Sequence, residues 1–386
     1  MSTLSHYNRN SPHVFPHYPH RRLQPLLPLL SGKGIEEEEE ADSDVPVEID
    51  EHLSPDLSYD PELLYRFIRK DPDPTITFYG GEPLMRRDLV EKLVREAPAR
   101  QFMMQTNAIL LDKLPPEIVN RFTTILVSLD GRRELTDGNR GDGVFAKVIG
   151  NVKMIRANGY KGELIARMTV TERTDIFDEV RYLADNPCHS FSSIHWQMDA
   201  NFSGDFSHRT FAEWATKNYN PGIRALVTAW VDEMEQSGRV LRWYPFIDTM
   251  EDLLLGKTSL LRCGAGHTNY AIMTDGHIAP CPIMIGMTQY YVGHIRDADP
   301  ANLRKIPVGG ECETCRIRTF CGGRCLYSNI VKPWKPEGRR LVCGTVENLH
   351  DALSGALPRV QGLIRSKRIV LADFAHEKFN GCEIIP

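Results

Sequence analysis

Nine cysteines occur in 386 residues, and seven of them lie between Cys263 and Cys343. Cys263 is followed by TDGHIAPC, in which Gly276 precedes Cys281 by four intervening residues. The stretch CETCRIRTFCGGRC then places Cys312, Cys315, Cys321 and Cys325 in a C-x2-C-x5-C-x3-C array, and Cys343 comes next. Thiolates are the ligands that iron-sulfur clusters require, and two cysteines two residues apart can grip one metal centre from a single tight turn. Structural zinc uses the same C-x2-C element, so spacing alone leaves zinc and iron-sulfur both open. A disulfide framework fits less well, because it belongs to short secreted chains rather than to one quarter of a long one. Cys188 and Cys382 match nothing in the array and read as packed thiols.

A second chemical signal is Gly80-Gly81-Glu82-Pro83, directly after the apolar run TITFY at 75–79. The two glycines permit backbone conformations and a close ligand approach that a Cβ forbids, while Pro83 fixes the chain as it enters the next helix. The Glu82 carboxylate can accept hydrogen bonds from an ammonium group. Four such residues also make an ordinary β-to-α turn, so their surroundings decide.

From about Pro74, short β-rich runs alternate with helical ones. TITFY, QFMMQTN, TTILVSLDG, GELIARMTV and SSIHWQMDA are strand-like. MRRDLVEKLVREAP puts Leu89, Val90, Leu93 and Val94 on one helical face, and AKVIGNVKMIRANG closes on Gly159 as a C-cap. Strand, helix, strand at this spacing means right-handed crossovers and a parallel sheet, closed or partly closed into a barrel. In NPGIRALVTAWVDEMEQSG, the residues Ile223, Leu226, Val227, Trp230 and Val231 form one apolar stripe for the core. After about Pro245 the composition shifts to Cys, Gly and turns, which marks a domain boundary.

The bulk properties frame these motifs. A chain of 43.8 kDa with 41% hydrophobic residues can bury a full core and divide into two units. A net charge of -5 and a pI near 6.2 give no global case for nucleic acid, and a mean hydropathy of -0.33 without a long apolar run argues against a membrane span. No secretory pattern opens the chain, so reduced thiols and a cytoplasmic setting are expected. Residues 1–34, rich in His, Pro, Ser, Asn and Arg and followed by Glu36 to Glu40, read as a disordered tail. Within them RRLQPLLPLLSGKG suits neither an amphipathic helix nor a strand.

FYGGEPL after a barrel strand resembles the glycine-rich motif of radical S-adenosylmethionine enzymes, whose backbone and Glu hold the cofactor's methionyl amino group. SLDG, Ser128 to Gly131, is similar to the strand-end segment that lies beside the cofactor's ribose and carboxylate, and ARMTV supplies Arg167 as a partner for a carboxylate. The resemblance therefore implies cofactor binding by Gly80, Gly81, Glu82, Pro83, Ser128, Asp130 and Arg167. Read without it, Ser128 can cap a helix and Arg167 can serve a structural ion pair. The cysteine array resembles the SPASM extension of peptide-modifying radical enzymes and anaerobic sulfatase maturases, with the seven cysteines in the same order. By that resemblance Cys312, Cys315, Cys321 and Cys343 hold one auxiliary [4Fe-4S] cluster, and Cys263, Cys281 and Cys325 another. The second is completed by a non-cysteine ligand or left with an iron open to substrate. Gly322 and Gly323 are expected to loosen the loop carrying the next ligand.

The resemblance covers the chain from about Gly32 onward and is closest to an uncharacterised archaeal group of peptide-modifying enzymes. It implies an α/β fold: a partial (β/α)6 TIM-type barrel at 35–245 after an anomalous segment 1–34, a SPASM domain at 246–345 and a helical tail at 346–386. The implied function is hydrogen abstraction from a peptide or protein substrate, with S-adenosyl-L-methionine as cofactor and flavodoxin or ferredoxin as electron donor. Neither nucleic acid nor membrane is an expected partner. The rival is a cluster- or zinc-bearing protein that recognises a peptide without radical chemistry.

Two departures matter. The family's C-x3-C-x2-C motif, which follows the first barrel strand and holds the S-adenosylmethionine cluster, is missing: no cysteine precedes Cys188. His13, His17 and His20 share its spacing, but neutral imidazoles would sharply alter cluster charge and potential. The alternatives are a degenerate enzyme or a local reading-frame disturbance. If Leu23, Leu27 and Leu30 are CTG codons, a frame one nucleotide later can spell cysteine at all three, at the required spacing. The first strand would then be scrambled, and the chain as given inactive. Secondly, sulfatase maturases carry an Asp after the cysteine equivalent to Cys281, where Pro282 stands here, so formylglycine formation does not transfer. Asp199 in HWQMDAN is a further polar candidate at the barrel mouth.

Overall fold

The computed structural model describes residues 24–28 as backbone, and residues 56–185, 191–199, 206 and 209–378 in full. Cys188, Cys382, Leu23, Leu30, His13, His17 and His20 lie outside them. Strands β2 (Thr75–Tyr79), β3 (Gln101–Thr106), β4 (Phe122–Ser128), β5 (Glu163–Val170) and β6 (Ser193–Met198) fall on the five runs read from sequence. Each pairs in parallel with the next. Parallel neighbours need crossovers, and these carry the helices. After α1 (Pro61–Ile68) they are α2 (Arg87–Glu96), α3 (Pro116–Val119), α4 (Arg133–Arg140), α5 (Val144–Ala157) and α6 (Ile176–Asp185). The predicted face of α2, Leu89, Val90, Leu93 and Val94, is buried. Gly159, just past α5, adopts φ +92° as expected of a helix-ending glycine.

The leucine-proline run departs from expectation. Gln24–Pro28 forms β1, parallel to β2 (Leu26 opposite Thr77, Leu27 opposite Phe78, Pro28 opposite Tyr79) and also to β7 (Asn269–Ile272). Local pattern disfavours this strand, but the edges of β2 and β7 offer two unpaired rows of backbone groups, and filling such a slot overrides propensity. Beyond β7 the sheet continues through β8 (His277–Ala279) and β9 (Gly293–His294), both antiparallel. The order is β6-β5-β4-β3-β2-β1-β7-β8-β9, six parallel strands of a partial barrel extended by the start of the cysteine-rich region.

Helices clothe the apolar face of this sheet. A short α7 (Phe211–Trp214) runs through a π-helical turn, Ala215–Tyr219, into α8 (Asn220–Ser237), whose stripe Ile223, Leu226, Val227, Trp230 and Val231 is buried as read. Next comes α9 (Tyr244–Leu255), whose Phe246 ring meets Trp196 of β6 edge-on at 5.1 Å and Trp230 of α8 at 5.5 Å. Then follow α10 (Arg318–Cys321), α11 (Leu326–Val331) and α12 (Pro336–Arg365). Among the described residues no helix is long and apolar enough to cross a membrane.

Candidate functional site

Successive side chains of a strand point to opposite faces, and register carries one face across the whole sheet. Ile76, Phe78, Met104, Ile125, Ala166, Met168, Ile194, Trp196 and Met198 share the face packed on helices, as the Trp196 to Phe246 contact shows. The other face, turned into the barrel, carries Thr75, Thr77, Gln101, Ser128, Arg167, Thr169, His195 and Gln197, with Met103, Leu126 and Ile165 between them. Buried polar atoms without a hydrogen-bond partner among the described residues gather there: Thr75 Oγ1, Thr77 Oγ1, Gln101 Oε1, Arg167 Nε and Gln197 Oε1. Such groups cost free energy unless a ligand or water meets them, so this face suits a polar occupant.

Arg167 is the sharpest case. It is only 7% exposed, stands opposite Ser128 on β4 and His195 on β6, and has no ion pair among the described residues. The structural ion pair open to it on sequence grounds is therefore not made there. A buried unpaired guanidinium, a rigid fork of donors matched to carboxylates, is a site for an anion.

Glu82 lies at the C-terminal end of β2 and is buried. Its Oε1 accepts from Leu84 N at 3.0 Å and Thr106 Oγ1 at 2.8 Å, and its Oε2 accepts from Asn107 N at 2.7 Å. Burial pushes its carboxyl above the ordinary range, and these three hydrogen bonds partly oppose that. Three of about four lone-pair positions are filled, so room remains for one further donor. Gly80 takes φ +137°, open in practice only to glycine, and Pro83 starts a 3-10 turn, Pro83–Arg86, that leads into α2. Asp130 is held internally: Arg140 forks onto it at 2.6 and 2.8 Å, and Asn139 Nδ2 and Thr169 N also donate to it. It braces the ends of β4 and β5 against α4. Asp199, just beyond β6, is exposed, and its backbone N–H donates to Val170 O at 2.8 Å.

The thiols of the cysteine-rich region fall into two sets by their mutual influence. Burial, then the neighbouring Cys325 and Cys263, push Cys281 far up. In the other set burial leads at Cys312, Cys321 and Cys343, with Cys315 adding to Cys312, Cys312 to Cys321, and Cys321, Cys312 and Cys315 to Cys343. The Cys343 thiol is pushed up to about 11; the residue is exposed and lines a cavity. That cavity, of about 780 Å³, is lined by Cys312, Cys315 and Cys343 together with Arg316, Arg324, Lys332, Arg339 and Arg340. Asn329 Nδ2 donates to Cys312 Sγ at 3.6 Å, and the backbone N–H groups of Gly323 and Arg324 bond the Cys321 sulfur. Cys263 and Cys281 sit instead in an apolar shell of Leu261, Ala265, Met284, Met287, Leu326 and Val331. Among the described residues, no three His, Cys, Asp or Glu side chains converge on a point as ligands of one metal ion.

Gly322 and Gly323 do not loosen their loop; they let it approach its neighbours. At φ +68° and +102° both lie in the left-handed region, and a Cβ on Gly322 would fall 1.6 Å from Leu260 O. Arg262 ties the two thiol sets together: its Nε donates to Phe320 O at 2.8 Å, while its buried guanidinium pairs with Asp248 and Asp252 of α9. Burial alone would raise Asp248, but Arg262, His376 and Lys378 hold it well below the carboxylate range. Sequence reasoning missed Arg140, Arg262, Arg324 and Asn329, whose roles depend on contacts 10 to 58 residues away.

Two structures of native anSMEcpe with bound AdoMet superpose on this chain. The one with the Cp18Cys peptide aligns at a TM-score of 0.61 and 16% identity over 90% of this chain and 99% of that one. The one with the Kp18Cys peptide aligns at 0.63 and 17% over 89% and 99%. The fold is that of anSMEcpe. The α/β partial barrel with its cysteine-rich extension, expected from the resemblance to radical S-adenosylmethionine and SPASM enzymes, is thus the architecture present. An uncharacterized protein of Methanothermobacter thermautotrophicus is 35% identical over 125 residues, 29% of this chain and 46% of that protein. The chain thus matches less than half the length of this relative. No protein-family model matches the chain.

Proposed function

We propose that this chain is built to modify a peptide or protein by radical chemistry with S-adenosyl-L-methionine, and that its distal third holds two auxiliary iron-sulfur clusters. The observation that carries the reading is the sorting of the thiols into two sets: Cys312, Cys315 and Cys343 line one cavity and act electrostatically with Cys321, while Cys263 and Cys281 sit in an apolar shell and act with Cys325. A cubane spreads its thiolates around four irons, whereas zinc gathers its ligands at about 2.3 Å from one point. Cys312, Cys315, Cys321 and Cys343 would hold one cluster, and Cys263, Cys281 and Cys325 the other.

The cofactor fits the barrel mouth. Arg167 and Ser128 would take its carboxylate, while Glu82 and the Gly80-Gly81 backbone would take its ammonium group. Glu82 is already aligned by Leu84, Thr106 and Asn107, and the Asp130 to Arg140 fork keeps the end of β4 in place beside Arg167. When bound beside a cluster iron, S-adenosylmethionine supplies a 5'-deoxyadenosyl radical able to take hydrogen from a substrate. Residues for that iron do not fit in this chain, because no cysteine precedes Cys188. The chain as given is therefore expected not to turn over. The AdoMet and peptides in the anSMEcpe structures support the same ligand classes here, with flavodoxin or ferredoxin as donor in a cytoplasmic setting.

The missing cysteines also favour a second reading, a cluster-bearing protein that recognises a peptide without radical chemistry. Assay of 5'-deoxyadenosine under a strong reductant separates the two. A version with the offset frame restored, carrying cysteines at 23, 27 and 30, should produce it and the given chain should not. A repaired chain with full iron content and no 5'-deoxyadenosine would favour the binding protein.

A further inference from the structure

We propose that Arg324 is a tuning residue for the four-thiol cluster, its unpaired guanidinium on the cavity wall raising the cluster's reduction potential. This rests on the iron-sulfur reading above. Arg324 sits in Cys321-Gly322-Gly323-Arg324-Cys325, between a thiol of one set and a thiol of the other. Its backbone is left-handed at φ +56°, a conformation unfavourable for a residue with a Cβ, so the surrounding fold imposes this placement. Its Nε is buried and has no hydrogen-bond partner among the described residues. The guanidinium carbon lies 5.9 Å from the centre of the Trp334 ring, which holds it without neutralising it.

Two of the other four cations on the cavity wall are answered. Arg316 pairs with Asp351 and Glu347, and Arg339 with Glu311. No ion pair is made by Arg324 among the described residues, and its charge acts on Cys321 and Cys343, opposing their burial. Reduction adds one electron, and so one negative charge, to a cluster whose four thiolates stay bound. A fixed cation nearby stabilises the reduced form more than the oxidised one, and local charge and hydrogen bonds to the sulfurs are what set such potentials. Around Cys263 and Cys281 of the other set the wall is apolar instead, so the two clusters should differ in potential.

The test is a redox titration of the full chain, anaerobically reconstituted and reduced stepwise with dithionite and mediators, followed by electron paramagnetic resonance. Cys343→Ala identifies which couple belongs to the four-thiol set. Arg324→Met should shift that couple at least tenfold toward the oxidised form, 59 mV more negative for one electron. Arg324→Lys, which keeps the charge, should retain more than half of the difference. Should Arg324→Met fail to load iron, Arg324→Asn, better suited to a left-handed backbone, gives the same reading. Variants that load both clusters yet titrate as wild type would overturn the proposal, as would loss of the four-thiol cluster in both, which would make Arg324 structural. Wild-type protein without iron and sulfide would overturn the reading beneath it, a result distinct from either.

Discussion

Replacing Arg167 by Met should make the cofactor-free protein more stable, against the usual trend that a core substitution costs about 1 kcal/mol. The guanidinium is 7% exposed, and its Nε has no partner among the described residues. A buried charge lacking a partner carries a desolvation penalty of several kcal/mol, partly relieved by relaxation and water, so an apolar side chain of similar length should recover about 1–3 kcal/mol. The same change removes the fork that would meet the cofactor's carboxylate. Hydrogen bonds to charged groups contribute roughly 1.5–3 kcal/mol each, so losing two weakens AdoMet binding by about 3 kcal/mol or more, on the order of a hundredfold. Denaturant unfolding reads the first effect and calorimetric titration with AdoMet the second. If Arg167→Met lowers stability by more than about 1 kcal/mol, or binds AdoMet within threefold of wild type, the guanidinium is already satisfied and this account of the barrel mouth is wrong.

Glu82 should imprint a pH dependence. Its native value is raised above 4.5, so the folded state keeps a proton that the unfolded chain has released; stability tied to Glu82 is full below pH 4.5 and declines as pH rises through the native value. The gap in unfolding free energy between wild type and Glu82→Gln should therefore narrow from pH 4 to pH 7, and a widening gap would contradict the assignment. Gly322→Ala forces a Cβ onto Leu260 O and should lower iron content and cooperativity of unfolding together, whereas Gly355→Ala, with open space around it, should leave both unchanged. In metal-free protein, Cys343 near 11 should alkylate at pH 8 about a hundredfold more slowly than an unshifted thiol at 9.0; labelling at the free-thiol rate would place its sulfur in solvent. Cluster assembly should release protons, which a weakly buffered titration with iron and sulfide can count.

Much of the barrel was legible because its signals are local. TITFY is a strand from its first residue to its last, and the α2 and α8 stripes are buried as their periodicity required. Failures came where a distant partner decides. Gln24–Pro28 is a strand because β2 and β7 leave a slot, 51 and 245 residues further along the chain. Asp130, named from the resemblance as a cofactor residue, accepts Arg140, at the end of the following helix, on both oxygens. Gly322 reads as flexible until Leu260 O is found against it. Charge pairing and steric approach of this kind have no periodicity to read.

Chemical analysis of freshly purified, anaerobically handled protein for iron, acid-labile sulfide and zinc tests the central claim most directly. Two auxiliary clusters predict up to about eight iron and eight sulfide per chain, little zinc, and loss of roughly half of each in Cys343→Ala. Colourless protein carrying stoichiometric zinc and no sulfide would contradict it.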